Sequence, residues 1–375
     1  MVTSTPTVAA SPFLDDTERL KSFAAALHTA RDRIRAEMGD EDVTRVKRLH
    51  LFSHTMEVTG RVLIHFSLDP ITWSAGVASL WLHKQLQATE IGHPVLHGCY
   101  DKLEGAEAFR SETFYWDLPI DEEAWRNGHN LRHHPYTNVT GRDPDIHFGP
   151  VRLNENVRHR WFHYFQLPYT LFGMWPAFGL GMNAHFSGLL DVYRPNPEDR
   201  DFLPDRSWKS IKKAHWTAYR KYIPYYAKNY VLFPLLAGPL WWKVLLGNHV
   251  AEVMRDVYSA ASIFCGHIGE DIADYPEGTR ANGRGGWYEM QCESTQNFKV
   301  PYVLSVLCGG LDYQIEHHLF PQLPPERLRQ IAPEVEQICA DHGVSYRSGT
   351  WPGVIRKALA QVWRLSFPTP TLETT

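Results

Sequence analysis

The chain lacks the parts that would make it its own electron carrier. Its five cysteines, at 99, 265, 292, 308 and 339, form no CxxC pair and no regular spacing, so neither an iron–sulfur motif nor a disulfide framework is expected. They read as packing residues of a reducing compartment. No Gly-x-Gly-x-x-Gly follows a strand to hold a dinucleotide, and no His-Pro-Gly-Gly haem motif occurs. The N-terminus has no apolar signal-peptide core; a polar Ser/Thr/Pro stretch leads into an amphipathic helical pattern from Asp15 to Asp40. The formal net charge of −4 gives no basic surplus, and no nucleic-acid partner is expected. Long apolar runs are few, and the mean hydropathy is −0.35.

Histidine is what the chain has. Seven of its twenty histidines fall in three boxes: His93-Pro94-Val95-Leu96-His97, His129-Asn130-Leu131-Arg132-His133-His134, and Gln314-Ile315-Glu316-His317-His318. Residues four apart on a helix share a face, so His93 and His97 can serve one centre, as can His129 and His133. Gln314 lies three and four residues before His317 and His318, and its amide can share their face. Imidazole suits iron, copper, zinc or nickel. A tetrahedral zinc takes four ligands, so seven imidazoles are too many for one ion, and two metals is the economical reading.

These boxes resemble those of the membrane fatty acid desaturases, in the branch whose third box begins with Gln. The stretches His133-His134-Pro135-Tyr136-Thr137-Asn138, Asp143-Pro144-Asp145 and Gly309-Gly310-Leu311-Asp312-Tyr313, and the Trp287, Gln291, Asn297 pattern, carry the same resemblance over residues 60–335. Two features depart from it. Pro94 stands where the family often has Asp, and it should push Gly92-His93 away from helical geometry and place the first box at a helix end or break. Gln314 replaces an imidazole, and the resemblance points to His267 as the eighth nitrogen. It also implies that Asp143 and Asp145 orient ligand imidazoles through their other ring nitrogen, with Asn130, Asn138 and Glu316 as further candidates.

The fold expected is all-α and integral to the membrane: four transmembrane helices in two hairpins, about 49–92 and 222–266, under a cytoplasmic helical cap formed by 93–221 and 267–335. A span needs roughly 20 mostly apolar residues. Asp69-Pro70 would turn the first hairpin and Gly238-Pro239 the second, while 164–190 lies in the interface or re-enters. Boxes two and three must meet on one side, which requires an even number of crossings between them. The basic linker 191–221 places that side in the cytoplasm, facing membrane lipids, and a bacterial inner membrane is the expected location. Residues 1–48 read as a polar tail with an amphipathic helix, 49–335 as the desaturase domain, and 336–375 as an extension with a disordered end from Pro368.

The resemblance implies an oxygen-dependent acyl desaturase with two iron ions, forming a cis double bond in an acyl chain borne on coenzyme A, a carrier or a lipid. An unactivated C–H bond is beyond acid–base chemistry, and a metal cofactor must supply the oxidant. Hydroxylation by the same centre is the nearest alternative, and a non-catalytic metal- or haem-binding membrane protein a more distant one. Electrons must come from a separate ferredoxin-like or haem carrier with an NAD(P)H reductase, docking at linker residues 206–221.

Overall fold

The computed structural model describes residues 16–369 apart from Pro195; the polar N-terminal tail and the chain end from 370 lie outside the described residues. Helix α1, Asp16–Ala36, has Asp16 and Glu18 in its first turn and Arg33 and Arg35 in its last, the order that the helix dipole favours. Asp40–Phe66 (α2) and Pro70–Leu86 (α3) form a hairpin. Its turn follows the sequence reading: Asp69 accepts a hydrogen bond from the Thr72 amide at 2.9 Å, and Pro70 opens α3 with φ already set. α3 leads through π turns at Gln87–Gly92 into α4, His93–Leu96. Glu122–Trp125 (α5) likewise runs into π turns at Arg126–His133.

Trp208–Ala227 (α6) and Trp241–His267 (α7) follow, and α7 packs along α3. The C-terminal third supplies α8 (Gly283–Glu293), α9 (Gln314–Leu319), α10 (Pro325–Asp341) and α11 (Trp351–Arg364). Two short strands, β1 (Asn297–Lys299) and β2 (Ser348–Thr350), pair in parallel with Asn297 opposite Ser348. One core cluster joins α1 to the third box: Phe23, Leu27 and Ile34 are buried with Ile315, Leu319, Ile331 and Val335. Each such side chain contributes about 1.5–3 kcal/mol by leaving water.

The membrane expectation fails. Among the described residues no helix is long and apolar enough to cross a bilayer, which overturns both the four transmembrane helices and the multi-pass inner-membrane location. The reason lies in spacing. The hairpin forms, but α2 carries Arg45, Lys47, Arg48, Glu57 and Arg61, and α3 has only 17 residues. α7 carries Lys243, Glu252, Arg255 and Asp256. The apolar stretch 222–238 breaks into π turns at Lys228–Leu232 and a short helix Phe233–Leu236, and 164–190 breaks into several short helical pieces. Between the helices the charges meet as partners: Lys84 Nζ lies 2.8 Å from Glu252, and Tyr225 donates to the same carboxylate at 2.6 Å.

Candidate metal centre

At the first box Pro94 has no amide hydrogen and its ring crowds the carbonyl four residues back. The chain absorbs this by widening the turns before it into the π segment, so Gly92 (φ −70°, ψ −43°) and His93 (φ −55°, ψ −55°) remain helical. The box itself is the last helical turn, His93–Leu96 with His97 at the C-cap, so the expected helix end holds and only the expected loss of helical geometry at Gly92-His93 does not. His93 and His97 share a face, with their Nε2 atoms 3.2 Å apart.

The second box departs from four-residue spacing because it lies on π turns. The His134 amide donates to the carbonyl of His129, five residues back. His129 and His134 therefore share a face, their Nε2 atoms 3.2 Å apart. The imidazoles of the second and third boxes are divided between two groups, while those of the first stay together. His93, His97, His129 and His317 bring one nitrogen each within 4.8 Å of one another, and His133, His267 and His318 do the same. His134 sits between the groups, its ring centroid 4.7 Å from that of His97 and 4.3 Å from that of His318.

The third box enters through Gly309 and Gly310, at φ +68° and +78°. A Cβ on Gly309 would come within 2.3 Å of the Thr89 backbone, so only glycine lets this segment lie against the π turns of box one. At the end of α7, Gly266 leaves room for Gln314, whose Cγ would stand 2.6 Å from a Cβ there. Gln314 Nε2 consequently lies 2.6 Å from His267 Nε2.

The braces around the rings are specific. His133 donates from Nδ1 to Asp143, with the carboxylate oxygens at 3.0 and 3.1 Å; Asp143 also accepts from the amides of Asn138 and Asp145. That bond puts a hydrogen on Nδ1 and leaves Nε2 buried without a hydrogen-bond partner among the described residues. Asp145 stands farther off, 3.6 Å from His133 and 3.8 Å from His129. His318 donates from Nδ1 to Gln291 Oε1 at 2.9 Å, beside the Thr137 hydroxyl. Asn130 touches no imidazole through its amide nitrogen and instead donates to the Leu96 carbonyl, tying box two to box one. Asn138 donates to the carbonyl of His267, and Glu316 accepts from Asn297 and Tyr346 at 2.8 and 2.9 Å. Sequence reasoning assigned no brace to Gln291 or Thr137. Nor did it find Trp125, whose ring stacks on His129 at 4.4 Å. The Trp287, Gln291, Asn297 spacing was the available signal.

The residues fit metal ions. Two nitrogens each about 2.1 Å from one ion lie about 3.0 Å apart at a right angle and about 3.4 Å apart at the tetrahedral angle, which brackets the 3.2 Å pairs. Nε2 of His133, His317 and His318 is buried with no hydrogen-bond partner among the described residues. Burial holds His93 down at about 3 and pushes His97, His129, His134, His267, His317 and His318 well below the ordinary imidazole value, so these rings are neutral and offer lone pairs. His133 differs: burial pulls it down, but Asp143 and Asp145 outweigh burial and lift it to about 9.

Residues 71–350 match the family model for fatty acid desaturases. The chain belongs to the fatty acid desaturase family. Similar desaturases include the NADPH-dependent stearoyl-CoA 9-desaturase of Mycobacterium tuberculosis (strain CDC 1551 / Oshkosh), 29% identical over 355 residues that cover 93% of this chain and 80% of the relative. The sn-1 linoleoyl-lipid 6-desaturase of Arthrospira platensis is 24% identical over 262 residues, 68% of this chain and 67% of the relative. An acyl-lipid (8-3)-desaturase of Physcomitrium patens is 29% identical over 297 residues, 73% and 58% respectively. The chain is an acyl desaturase, an oxidoreductase of lipid metabolism, and its histidine clusters form a site compatible with metal. Beside that site the desaturase has an apolar cleft walled by Phe148, Phe178, Met182, Ile263 and Phe264, with His133 and His267 on its lining.

Proposed function

We propose that this desaturase is oxygen-dependent and di-iron, and that it forms a cis double bond in an acyl group carried on coenzyme A, a carrier or a lipid. The observation that supports this most is the sorting of buried imidazoles into two groups beside an apolar cleft. His93, His97, His129 and His317 would hold one ion and His133, His267 and His318 the other, with His134 between them and Gln314 against His267. Iron bound there supplies the oxidant for an unactivated C–H bond.

The chain's own groups do the rest. Asp143 and Gln291 hold protons at Nδ1 of His133 and His318 and so aim the opposite nitrogens inward. Phe148, Phe178, Met182 and Phe264 exclude water and hold two adjacent methylenes beside the site. Two hydrogens leave the acyl chain, and dioxygen becomes two waters by taking those together with two external electrons and two protons. The electrons would come from a separate ferredoxin-like or haem carrier and its NAD(P)H reductase, because the given sequence shows no GxGxxG dinucleotide fingerprint, no cysteine cluster and no HPGG haem motif.

The test is reconstitution with substrate, dioxygen, carrier, reductase and NADPH. Two irons per chain, oxygen uptake and a product lighter by two hydrogens are expected. One zinc and no iron in active protein would refute the di-iron reading, and a product heavier by one oxygen would refute desaturation.

A further inference from the structure

A second polar cluster lies away from the boxes, where α2 and α3 meet the segment before α5. His54 Nδ1 and His83 Nε2 each lie 3.5 Å from Glu57 Oε2, and His83 Nε2 lies 3.5 Å from Asp117 Oδ2. These separations are long for hydrogen bonds, which center near 2.9 Å. They match the edge of about 3.4 Å expected between two donors on one tetrahedral ion about 2.1 Å from each.

The orientation of His83 points the same way. Its Nδ1 lies 3.1 Å from the Ser53 carbonyl, so that nitrogen carries the hydrogen and the Nε2 lone pair faces the two carboxylates. A backbone carbonyl on the far ring nitrogen is the usual support of a ligand histidine. Glu57 is braced from behind: its other oxygen, Oε1, takes Arg61 at 2.8 Å and Lys228 at 3.6 Å. Asp117 stands outside the group, since the Oδ2 that faces His83 is the oxygen that Lys228 holds at 3.0 Å. His83 lies in α3 and is separated from His93 by the whole π segment Gln87–Gly92, so the cluster is separate from the boxes.

We propose that His54, Glu57 and His83, which bring one ligand atom each within 4.8 Å of one another, form a divalent-cation site for a zinc-class ion that ties α2 to α3. Two imidazoles with one carboxylate favour zinc over calcium or magnesium, which take oxygen donors. Arg61 and Lys228 oppose cation binding by charge while fixing the carboxylate, so the ion is held by geometry and imidazole.

The test uses the full-length protein as purified, equilibrated with Zn²⁺ or Co²⁺, with metal content and visible absorption measured. His54 is 45% exposed at its side chain, so His54→Ala should leave the fold intact. The wild type should take up one more equivalent of zinc than His54→Ala, bind it at least tenfold more tightly, and show tetrahedral Co²⁺ absorption that His54→Ala and Glu57→Gln lose. Lys228→Met should bind more tightly, with circular dichroism unchanged. Equal zinc uptake and equal Co²⁺ spectra in wild type and His54→Ala would overturn the site, whatever metal the histidine boxes hold.

Discussion

Gln291 is the residue whose importance the structure adds. It accepts the Nδ1 proton of His318, and ring-orienting partners of this kind typically change metal affinity or activity by about 10–100-fold when removed. Gln291→Ala should lower turnover by that order and lower iron content, while Gln291→Glu, which keeps an acceptor, should recover part of both; activity and metal analysis check this. His318→Ala should abolish turnover. His267→Ala separates ligand from structural roles, since loss of iron with retained fold supports coordination and near-normal turnover removes it. The boxes could be read from the sequence because each is compact. Gln291 and Thr137 could not be paired with His318 that way, since they reach it only through the tertiary fold.

At the scale of elements, the sequence conveyed a hairpin and its turn, because Asp69-Pro70 is a local cap signal. It did not convey the π turns, which arise from how Pro94 and the second box relieve their hydrogen-bond ladders, and so the pairing of imidazoles differs from simple four-residue spacing. The π turns of box one are anchored by Glu90, whose carboxylate is buried against Arg329 of α10 at 3.1 Å. Glu90→Ala leaves Arg329 with Glu326 and Ser305 as partners, so the loss should fall below the about 3–5 kcal/mol of a buried charge left unpaired. Chemical denaturation should register a drop smaller than that. In the basic linker most cations are committed inside the molecule: Arg220 to Asp121, Lys221 to Glu122 and Arg206 to the Val192 carbonyl. Lys209, Lys212 and Lys213 are exposed and remain the candidates for carrier docking. Reversing these three charges should raise the KM for the carrier and weaken the salt dependence of the rate, leaving single-turnover chemistry unchanged.

For the whole molecule, the mistaken reading of spans came from averaging. Apolar stretches were visible, but the charges that interrupt them show their meaning only when helices are assembled and those charges turn inward as partners. Stability against pH tests another buried charge. Burial raises Asp274 to about 7, although the Glu155 amide lowers it in part. A carboxyl whose folded value lies above its unfolded value binds protons more tightly when folded, so its contribution to stability declines as pH rises from about 4 to about 7 and stays low above that. Asp274→Asn should flatten this part of the profile and raise the melting temperature at pH 8; an unchanged profile would show that Asp274 is not responsible.

The parallel pair of β1 and β2 carries a consequence for synthesis. Asn297 in β1 caps the third box by accepting from the Ile315 amide at 2.9 Å and donates to Glu316, and Tyr346, just before β2, donates to Glu316 as well. All eight imidazoles have been translated by His318, yet the partner strand comes only at Ser348–Thr350, about thirty residues later. At roughly 5–20 residues per second, the third box waits about 2–6 seconds for the strand that fastens it. Release of that last strand from the ribosome is therefore the step that closes the box.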